Sequence, residues 1–340
     1  MIKLVFFLLL SVFTAVCSFG QTVSNVDAYQ EGKNIIITYD TDKAGSVGDV
    51  YCSTDGGRTW GEPLHQVTGD VNKQVPAGGH RIVWDVLAER EKLAGANICF
   101  KVVANSGKFT VNGVSFEMVR GEGGTFRMGA TAEQEDEAWD DEMPVHSVTL
   151  SSYYIGKTEV TQALWQAVMG SNPSRSRGAD LPVENVSWDD CQEFIRKLNA
   201  LTGQHFRLPT EAEWEFACRG GNNSRGYKYS GSNNLGSVAW YDGNSGNRTH
   251  SGNRTHSVAT KSSNELGIYD MSGNVWEWCA DWYGDYSSGA QTNPRGPLSG
   301  LLRVIRGGCW DYGVGGCRSS CRGSNNLAGR YISVGLRLAL

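Results

Sequence analysis

RLPTEAEWEFACRGG, at residues 207–221, is the stretch of this sequence that says most about the fold. Thr210 and Glu213 form a capping box, in which the hydroxyl and the carboxylate bind free backbone amides at the start of a helix. Arg207 and Glu211 lie at the same turn, and we interpret them with Glu213 as a charge network that fixes a strand-to-helix connection. The tryptophan of the stretch is expected in the core. The stretch therefore predicts a short, capped helix held by paired charges.

Comparable motifs occur in order on both sides of this stretch. They are GGTFRMG (123–129), the residues Glu142, Pro144 and His146, YYIGKTEVT (153–161), LPVENVSWDD (181–190), GIYDMSGNVWEWCADWYG (267–284), RGGCW (306–310), CRS (317–319) and GLRLAL (335–340). Apolar residues at helical spacing follow Thr161 and Ser187, and these helices end at Gly170 and Gly203. From Gly220 onward Gly, Asn and Ser dominate, which predicts loops and short strands.

This ordered series resembles the formylglycine-generating enzyme, or sulfatase-modifying factor, family, a variant of the C-type-lectin fold. The resemblance covers residues 116–340. It implies an α+β, C-type-lectin-like domain that is rich in loops. Several residues of the motifs, the tryptophans above all, are then expected to hold the loops together rather than to act on a substrate.

The region before this domain, residues 22–105, has the pattern of a small β-sandwich. Its β-branched run at 35–38 and the strand-like runs at 50–52 and 98–103 lie between turn signals. It resembles the immunoglobulin-like modules that precede such domains in exported bacterial proteins. Cys52 and Cys99 both fall inside strand-like runs, and we expect a disulfide between them, with two buried free thiols as the alternative.

The first 20 residues have the order of a secretory signal peptide. Lys3 precedes an apolar run at 4–16, and small and polar residues follow up to Gly20, after which we expect cleavage. The apolar run is too short for a transmembrane helix, which needs about 20 residues. Lipidation at Cys17 is the alternative. The sequence thus predicts an exported protein that is secreted, periplasmic or at the cell surface.

Composition narrows the choice of partners. The chain has 340 residues, of which 40% are hydrophobic, and a formal net charge of -5. No run of Lys or Arg provides the basic surface that holds a phosphate backbone. We therefore expect no nucleic acid partner and no transmembrane segment.

The resemblance also implies a calcium site. Relatives bind Ca²⁺ through side chains at the positions of Asp270 and Glu277 and through carbonyls at those of Gly273 and Val275. Hard oxygen ligands from a glycine-containing turn suit this ion. A second calcium loop of the family has no matching ligands here.

Oxidases of this family hold Cu(I) between two cysteine thiolates five residues apart and oxidise a cysteine in a C-x-P-x-R motif of sulfatases. Here the second position is Cys317, but the first is Tyr312, and a phenol does not replace a thiolate towards Cu(I). Cys309 is the candidate substitute. Cys321 is another, although it resembles more closely a family cysteine that pairs with the position of Cys218. Copper and a sulfatase substrate are thus implied only if Cys317 acts together with Cys309 or with Cys321.

The C-terminal segment GGCWDYGVGGCRSSCRGSNNLAGRYISVGLRLAL (307–340) suggests binding instead. Many relatives have repeated Asn after the RGGSW motif. At many positions of this segment the chain instead has residues whose codons can be made from an Asn codon by replacing its adenines. Such variation resembles that of diversity-generating retroelements, which use this fold subtype for receptors; ordinary drift in a surface loop is the alternative. The varied residues are Asp311, Tyr312, Gly313, Gly315, Gly316, Cys321, Gly323, Ser324, Gly329, Tyr331, Ile332 and Ser333.

A surface of Tyr, Ser, Gly and Asp on a loop-rich scaffold has the composition of an antibody paratope. We expect a protein or glycan ligand there. The candidate ligand-binding residues are Trp310, Asp311, Tyr312, Arg318 and Tyr331. The sequence therefore favours an exported ligand-binding protein over a copper-dependent oxidase.

Overall fold

The computed structural model of the chain divides into two compact units, residues 1–106 and 107–340. It describes residues 22–43, 45–71, 74–95, 97–104, 107–246 and 254–340. The predicted signal peptide, with Cys17, lies outside the described residues. Of the helices in the described ranges, none combines the length and the apolar character that crossing a membrane requires.

The first unit is a β-sandwich. Its strands are β1 (Val23–Glu31), β2 (Asn34–Thr41), β3 (Gly45–Ser53), β4 (Val67–Gly69), β5 (Gln74–Val75), β6 (Gly78–Asp85) and β7 (Cys99–Ala104), with a short helix α1 (Val86–Glu89) after β6. They form two antiparallel sheets, in the orders β1-β2-β6-β4 and β5-β3-β7. One core contains Ile35 and Trp84 from the first sheet and Val50 and Val102 from the second. The resemblance to immunoglobulin-like modules stays a prediction.

Cys52 and Cys99 do not form the expected disulfide. They lie on the paired strands β3 and β7, but Cys52 is opposite Phe100 and Cys99 is opposite Ser53. Because successive residues of a strand point to opposite faces, the two thiols lie on opposite faces of one sheet. Both are free, with Cys52 buried and Cys99 partly exposed. The structure thus agrees with the alternative in that both thiols are free, but only Cys52 is buried as that alternative expects.

The second unit is rich in loops, with short strands and helices. Its strands are β8 (Lys108–Val111), β9 (Val114–Gly121), β10 (Gly124–Met128), β11 (His146–Leu150), β12 (Tyr153–Gly156), β13 (Trp276–Trp282), β14 (Gln291–Thr292), β15 (Leu302–Arg306), β16 (Arg322–Asn326) and β17 (Val334–Leu336). Its helices are α2 (Gln162–Met169), α3 (Trp188–Thr202), α4 (Glu211–Cys218) and α5 (Leu235–Val238). The sheet orders are β10-β11-β14, β12-β9-β8 and β16-β15-β13-β17.

This unit begins earlier than residue 116, the start that the motifs indicate. Strand β8 pairs with β9 through a tight hairpin in which Val111 is opposite Val114, and Phe109 is opposite Phe116. The two rings also contact Phe206, with centroids 5.0 and 5.5 Å from it. The hairpin therefore packs on the second core, and the unit starts at residue 107.

The predicted helix caps are present. Thr161, Ser187 and Thr210 each accept a hydrogen bond at the start of α2, α3 and α4, from Leu164, Asp190 and Glu213 respectively. Gly170 and Gly203 end the first two helices with positive φ angles of 77° and 68°, a conformation that glycine adopts without strain.

Buried arginine–glutamate pairs join the loops of this unit. The pairs are Arg306–Glu215, Arg318–Glu142, Arg322–Glu211 and Arg337–Glu277. The charge network expected around Arg207 is thereby divided: Arg207 binds Glu213, whereas Glu211 faces inward to Arg322. The charges thus fix connections distant in sequence as well as the start of α4.

Candidate functional site

The segment after β15 turns sharply at two glycines. Gly307 and Gly308 have φ angles of 100° and 73°. A Cβ on Gly308 would lie 2.7 Å from Cys317 Sγ and equally close to the Gly316 carbonyl. Only glycine therefore allows the RGGCW motif to pack against the single 3₁₀ turn at Val314–Cys317.

Residues 310–314 and 331 form a surface with two exposed tyrosines, which we call the C-terminal surface. Tyr312 is 43% exposed and Tyr331 is 42% exposed. Trp310 is half-buried, packs on the core and donates its Nε1–H to the carbonyl of Ile332, the residue after Tyr331, at 3.3 Å. Tyr312 stands edge-on to Trp276, with centroids 5.2 Å apart. The two tyrosines therefore project from a base that Trp310 fixes.

The structure separates Arg318 from the other residues predicted to bind ligand. Its side chain is fully buried and donates to Glu142 at 2.8 and 2.5 Å. Ser320 donates its hydroxyl to the same carboxylate. Arg318 therefore holds the segment to the 3₁₀ turn at Asp140–Glu142 and cannot contact a ligand at the surface.

Cys309, Cys317 and Cys321 are buried free thiols. Burial raises the pKa of Cys309 and of Cys317 well above the usual range, and it raises the pKa of Cys321 to about 12. Cys309 donates its thiol to Asp311 Oδ1 at 2.9 Å. Burial thus disfavours the thiolate at each of the three sulfurs, whereas a copper ligand has to be a thiolate.

The expected pair of Cys218 and Cys321 is also absent, because both are free. Cys218 packs in the core around Trp214 and donates to the Met271 carbonyl at 3.6 Å. Cys321 belongs to the other large core of the unit, with Trp278. The two cysteines thus lie in two different hydrophobic cores.

Tyr312 lies at the place that the resemblance assigns to the first copper ligand. Its ring covers Gly316, where a Cβ would lie 2.2 Å from Cδ1. The phenol therefore occupies space next to Cys317 and supplies no sulfur. Within the described ranges, no group of three or more His, Cys, Asp or Glu residues is arranged to hold a metal ion.

The predicted calcium ligands differ in how well they fit the ion. Asp270, at a φ of 59°, accepts from the Ala259 amide at 2.7 Å through Oδ2, and its Oδ1 is buried without a partner. Glu277 is different, since Arg337 binds both of its oxygens and Trp214 donates to Oε2 at 2.6 Å. Asp270 thus has one oxygen available to bind an ion, whereas both oxygens of Glu277 are already hydrogen-bonded.

Sequence reasoning missed Glu159, a buried acid that lies against the 270–277 segment. It accepts from Asn274 Nδ2 at 2.7 Å and from the Val275 amide at 3.1 Å. Burial, with the charges of Asp270 and Glu277, raises its pKa well above the usual range. Its position between the apolar residues of YYIGKTEVT could have indicated a buried acid.

Comparisons with known proteins place this geometry in context. The family model for the sulfatase-modifying factor enzyme 1-like domain matches residues 105–340. The chain is 33% identical over 299 residues to the chaperone protein LppX of Paenibacillus barcinonensis, covering 75% of this chain and 98% of that protein. It is 30% identical over 284 residues to the formylglycine-generating enzyme of Streptomyces coelicolor, covering 65% and 88%.

A solved structure is similar as well. Treponema denticola variable protein 1 superposes with a TM-score of 0.61 at 34% identity, covering 68% of this chain and 97% of that one. The relatives thus include an enzyme, a protein called a chaperone and a protein called variable.

Proposed function

The chain belongs to the sulfatase-modifying factor family, and on that premise we propose that it is an exported ligand-binding protein rather than an oxidase. The observation that carries the proposal is the C-terminal surface. Where the oxidases hold copper between two thiolates, this chain exposes Tyr312 and buries Cys317, and burial raises the pKa of that thiol.

The C-terminal surface has the physical properties of a binding surface. Tyrosines provide a large contact area at a small cost in side-chain entropy, and here two of them project from a fixed base. Asp311 and Gly313, on either side of Tyr312, are also exposed, and they supply a carboxylate and an accessible stretch of backbone. The Arg318–Glu142 pair beneath holds the segment in place without ligand. A preformed surface loses less entropy on binding than a mobile loop does.

The ligand we propose is a protein or a glycan. The names of two relatives, a chaperone and a variable protein, favour a macromolecular ligand.

The distribution of burial supports retroelement diversification in part. The varied positions Asp311, Tyr312 and Tyr331 are exposed, whereas Gly316 and Cys321, which belong to the same varied set, are buried. An Asn-codon-rich template beside a reverse transcriptase in the flanking DNA would test the diversification directly.

We expect the double variant Tyr312→Ala, Tyr331→Ala to fold normally and to lose binding. The two rings are partly exposed, so their loss leaves no large cavity, whereas aromatic anchors contribute on the order of 2 kcal/mol each at an interface. The measurement is binding of the chain to glycan and protein arrays, followed by titration of each hit. Tyr29→Ala, an equally exposed tyrosine of the first unit, is the control. Unchanged titrations in the double variant would refute the C-terminal surface as the site.

The alternative function is a copper-dependent formylglycine-generating oxidase acting on sulfatase cysteines. One observation favours it: Cys309 and Cys317 are neighbours, so that charge on Cys317 contributes to raising the pKa of Cys309. The relative from Streptomyces coelicolor bears the name of that enzyme. The raised pKa of both buried thiols and the ring of Tyr312 oppose it.

We expect the chain supplied with Cu(I) to leave a C-x-P-x-R peptide unoxidised. Mass spectrometry of the peptide detects conversion of its cysteine to the aldehyde. The variant Tyr312→Cys restores the family spacing and is the matched comparison. Oxidation by the unmodified chain that is lost in Cys317→Ser would establish the oxidase and make Cys309 the second ligand to test.

Calcium remains a proposal that rests on the unpartnered Oδ1 of Asp270. An ion that binds only the native state raises the melting temperature by mass action. We expect Ca²⁺ to raise it relative to a chelator, and Asp270→Asn to remove the difference. Asp180→Asn, which removes an exposed carboxylate of the same unit, is the control. Identical melting of the unmodified chain with calcium and with chelator would show that no such site exists.

A further inference from the structure

A cavity of about 290 Å³ opens beside the start of α4 and the end of β13. The loop that follows β13 forms its outer wall, and His146 of β11 and Arg322 of β16 line its inner part. None of the residues of the C-terminal surface lines it. The cavity is therefore independent of the function proposed above.

Asp281 gives this cavity an unmatched negative charge. The residue is 4% exposed, and its Oδ2 accepts the Glu211 backbone amide at 2.9 Å. Its Oδ1 accepts no hydrogen bond from the residues that the structure describes, and no ion pair within 4.0 Å joins it to them. A carboxylate that is almost fully buried and has no ion pair loses most of its hydration, so this oxygen is available to a cation that enters the cavity.

The neighbouring carboxylate, Glu211, is already matched. Arg322 donates to its two oxygens at 2.6 and 2.9 Å, and Arg306 and Tyr286 also contact it. Arg322 is therefore engaged, and it offers Asp281 no direct contact. Asp281 is thus the one buried acid of the cavity wall, among the residues described, whose charge a ligand could meet.

The rest of the lining suits an organic cation. The exposed Asp285 adds a second carboxylate at the mouth. Trp282, Tyr286 and His146 provide aromatic walls, although Arg303 and Arg322 already cover one face of Trp282 and of Tyr286. His146 lies with Nδ1 3.0 Å from the Pro144 carbonyl, so Nδ1 carries a proton and the ring stays oriented. The volume is at the lower end of the range for ligand pockets, about 300–1,000 Å³, which favours a small group.

We propose that this cavity binds a primary ammonium group, carried by a small free amine or by a lysine side chain, with Asp281 Oδ1 as its acceptor. An anion is disfavoured by the carboxylates. A bare metal ion finds one available buried oxygen here, since Arg322 holds those of Glu211. An ammonium needs one charged acceptor and donates its other hydrogens to water or to the rim.

The electrostatics of Asp281 agree with this assignment. Burial, and next the charge of Glu211, raise the pKa of Asp281 to about 7. A bound ammonium would supply the missing positive charge and favour the ionised carboxylate.

The test is calorimetric titration of the full chain at pH 8 in a buffer free of amines. The probes are 1,4-diaminobutane for a free amine, Nα-acetyl-lysinamide for a lysine side chain, and 1,4-butanediol as the uncharged control. We expect saturable binding of at least one amine and none of the diol. The stronger of the two amines identifies the source of the group.

Two variants locate the site. Asp281→Asn should weaken amine binding at least tenfold, because a hydrogen bond to a charged group contributes about 1.5–3 kcal/mol. Ser287→Trp should block the mouth of the cavity and prevent amine binding without altering Asp281. This variant tests the site even if Asp281→Asn fails to fold. Asp180→Asn, with the same change of charge, should bind normally. The proposal would be overturned if no amine bound, if both site variants bound amines as tightly as the unmodified chain does, or if equimolar Ca²⁺ displaced the amine.

Discussion

Replacing Arg318 with Met is expected to lower the free energy of unfolding of residues 107–340 by about 3–5 kcal/mol, the range for breaking a buried ion pair. The guanidinium is fully buried, and it binds both oxygens of Glu142. The variant leaves that carboxylate buried with the Ser320 hydroxyl and the Trp139 amide as partners. Urea denaturation of the full chain, followed by tryptophan fluorescence, measures the loss.

The matched control is Arg330→Met. Arg330 forms an equally close pair with Asp190, at 2.6 Å, but its side chain is 54% exposed. Exposed pairs contribute about 0–1 kcal/mol, so this variant should unfold almost as the unmodified chain does. Equal effects of the two substitutions would mean that Arg318 is not buried as described. If Arg318→Met stayed stable and lost only ligand binding, the arginine would belong to the C-terminal surface after all.

Replacing Asp281 with Asn is expected to stabilise the second unit at pH 8 by up to about 4 kcal/mol, since each pKa unit corresponds to 1.36 kcal/mol. The folded pKa of Asp281 is about 7, against 3.8 for the free group. Between these values the native state binds more protons than the unfolded state, so stability falls as pH rises from about 4 to about 7 and is constant above. The Asn variant lacks this fall and keeps an oxygen for the Glu211 amide.

Burial sets the sign of this effect, and the charged groups around Asp281 add to it or reduce it. Glu211 and Glu213, on α4, raise its pKa together with burial, and Arg322 of β16 lowers it. Arg303 of β15 also senses its charge. Denaturation curves at pH 5 and pH 8, in phosphate without amines, compare the variant with the unmodified chain. A gap between the two proteins that does not widen with pH would contradict the raised pKa.

Local features of this protein were predictable from the sequence, and distant pairings were not. Thr161, Ser187 and Thr210 act on amides three residues away, so their pattern suffices to predict the caps. The family resemblance likewise rests on contiguous motifs and is confirmed over residues 105–340. The disulfide expected between Cys52 and Cys99 depended on strand register, which a shift of one residue reverses.

In the candidate site, too, local features could be predicted from the sequence and distant pairings could not. Exposure of Tyr312 and Tyr331 agrees with the prediction from composition. Arg318 could not be placed, because its partner Glu142 lies 176 residues earlier in the chain. Asp281 was not singled out, although an acid among the aromatic residues of WEWCADWYG is a recognisable signal of a buried charge.

The burial of Arg318 beneath an exposed 311–313 loop has a consequence for protein engineering. Substitutions at 311, 312 and 331 should leave the Arg318–Glu142 anchor intact, because none of these side chains takes part in that pair. The inward contacts that they remove are the Cys309–Asp311 hydrogen bond and the packing of Tyr312 on Trp276. A library randomised at those three positions should therefore yield mostly folded proteins, whereas one that includes 318 should yield mostly aggregates. The fraction of soluble clones in each library would make the chain a candidate scaffold for selecting artificial binders.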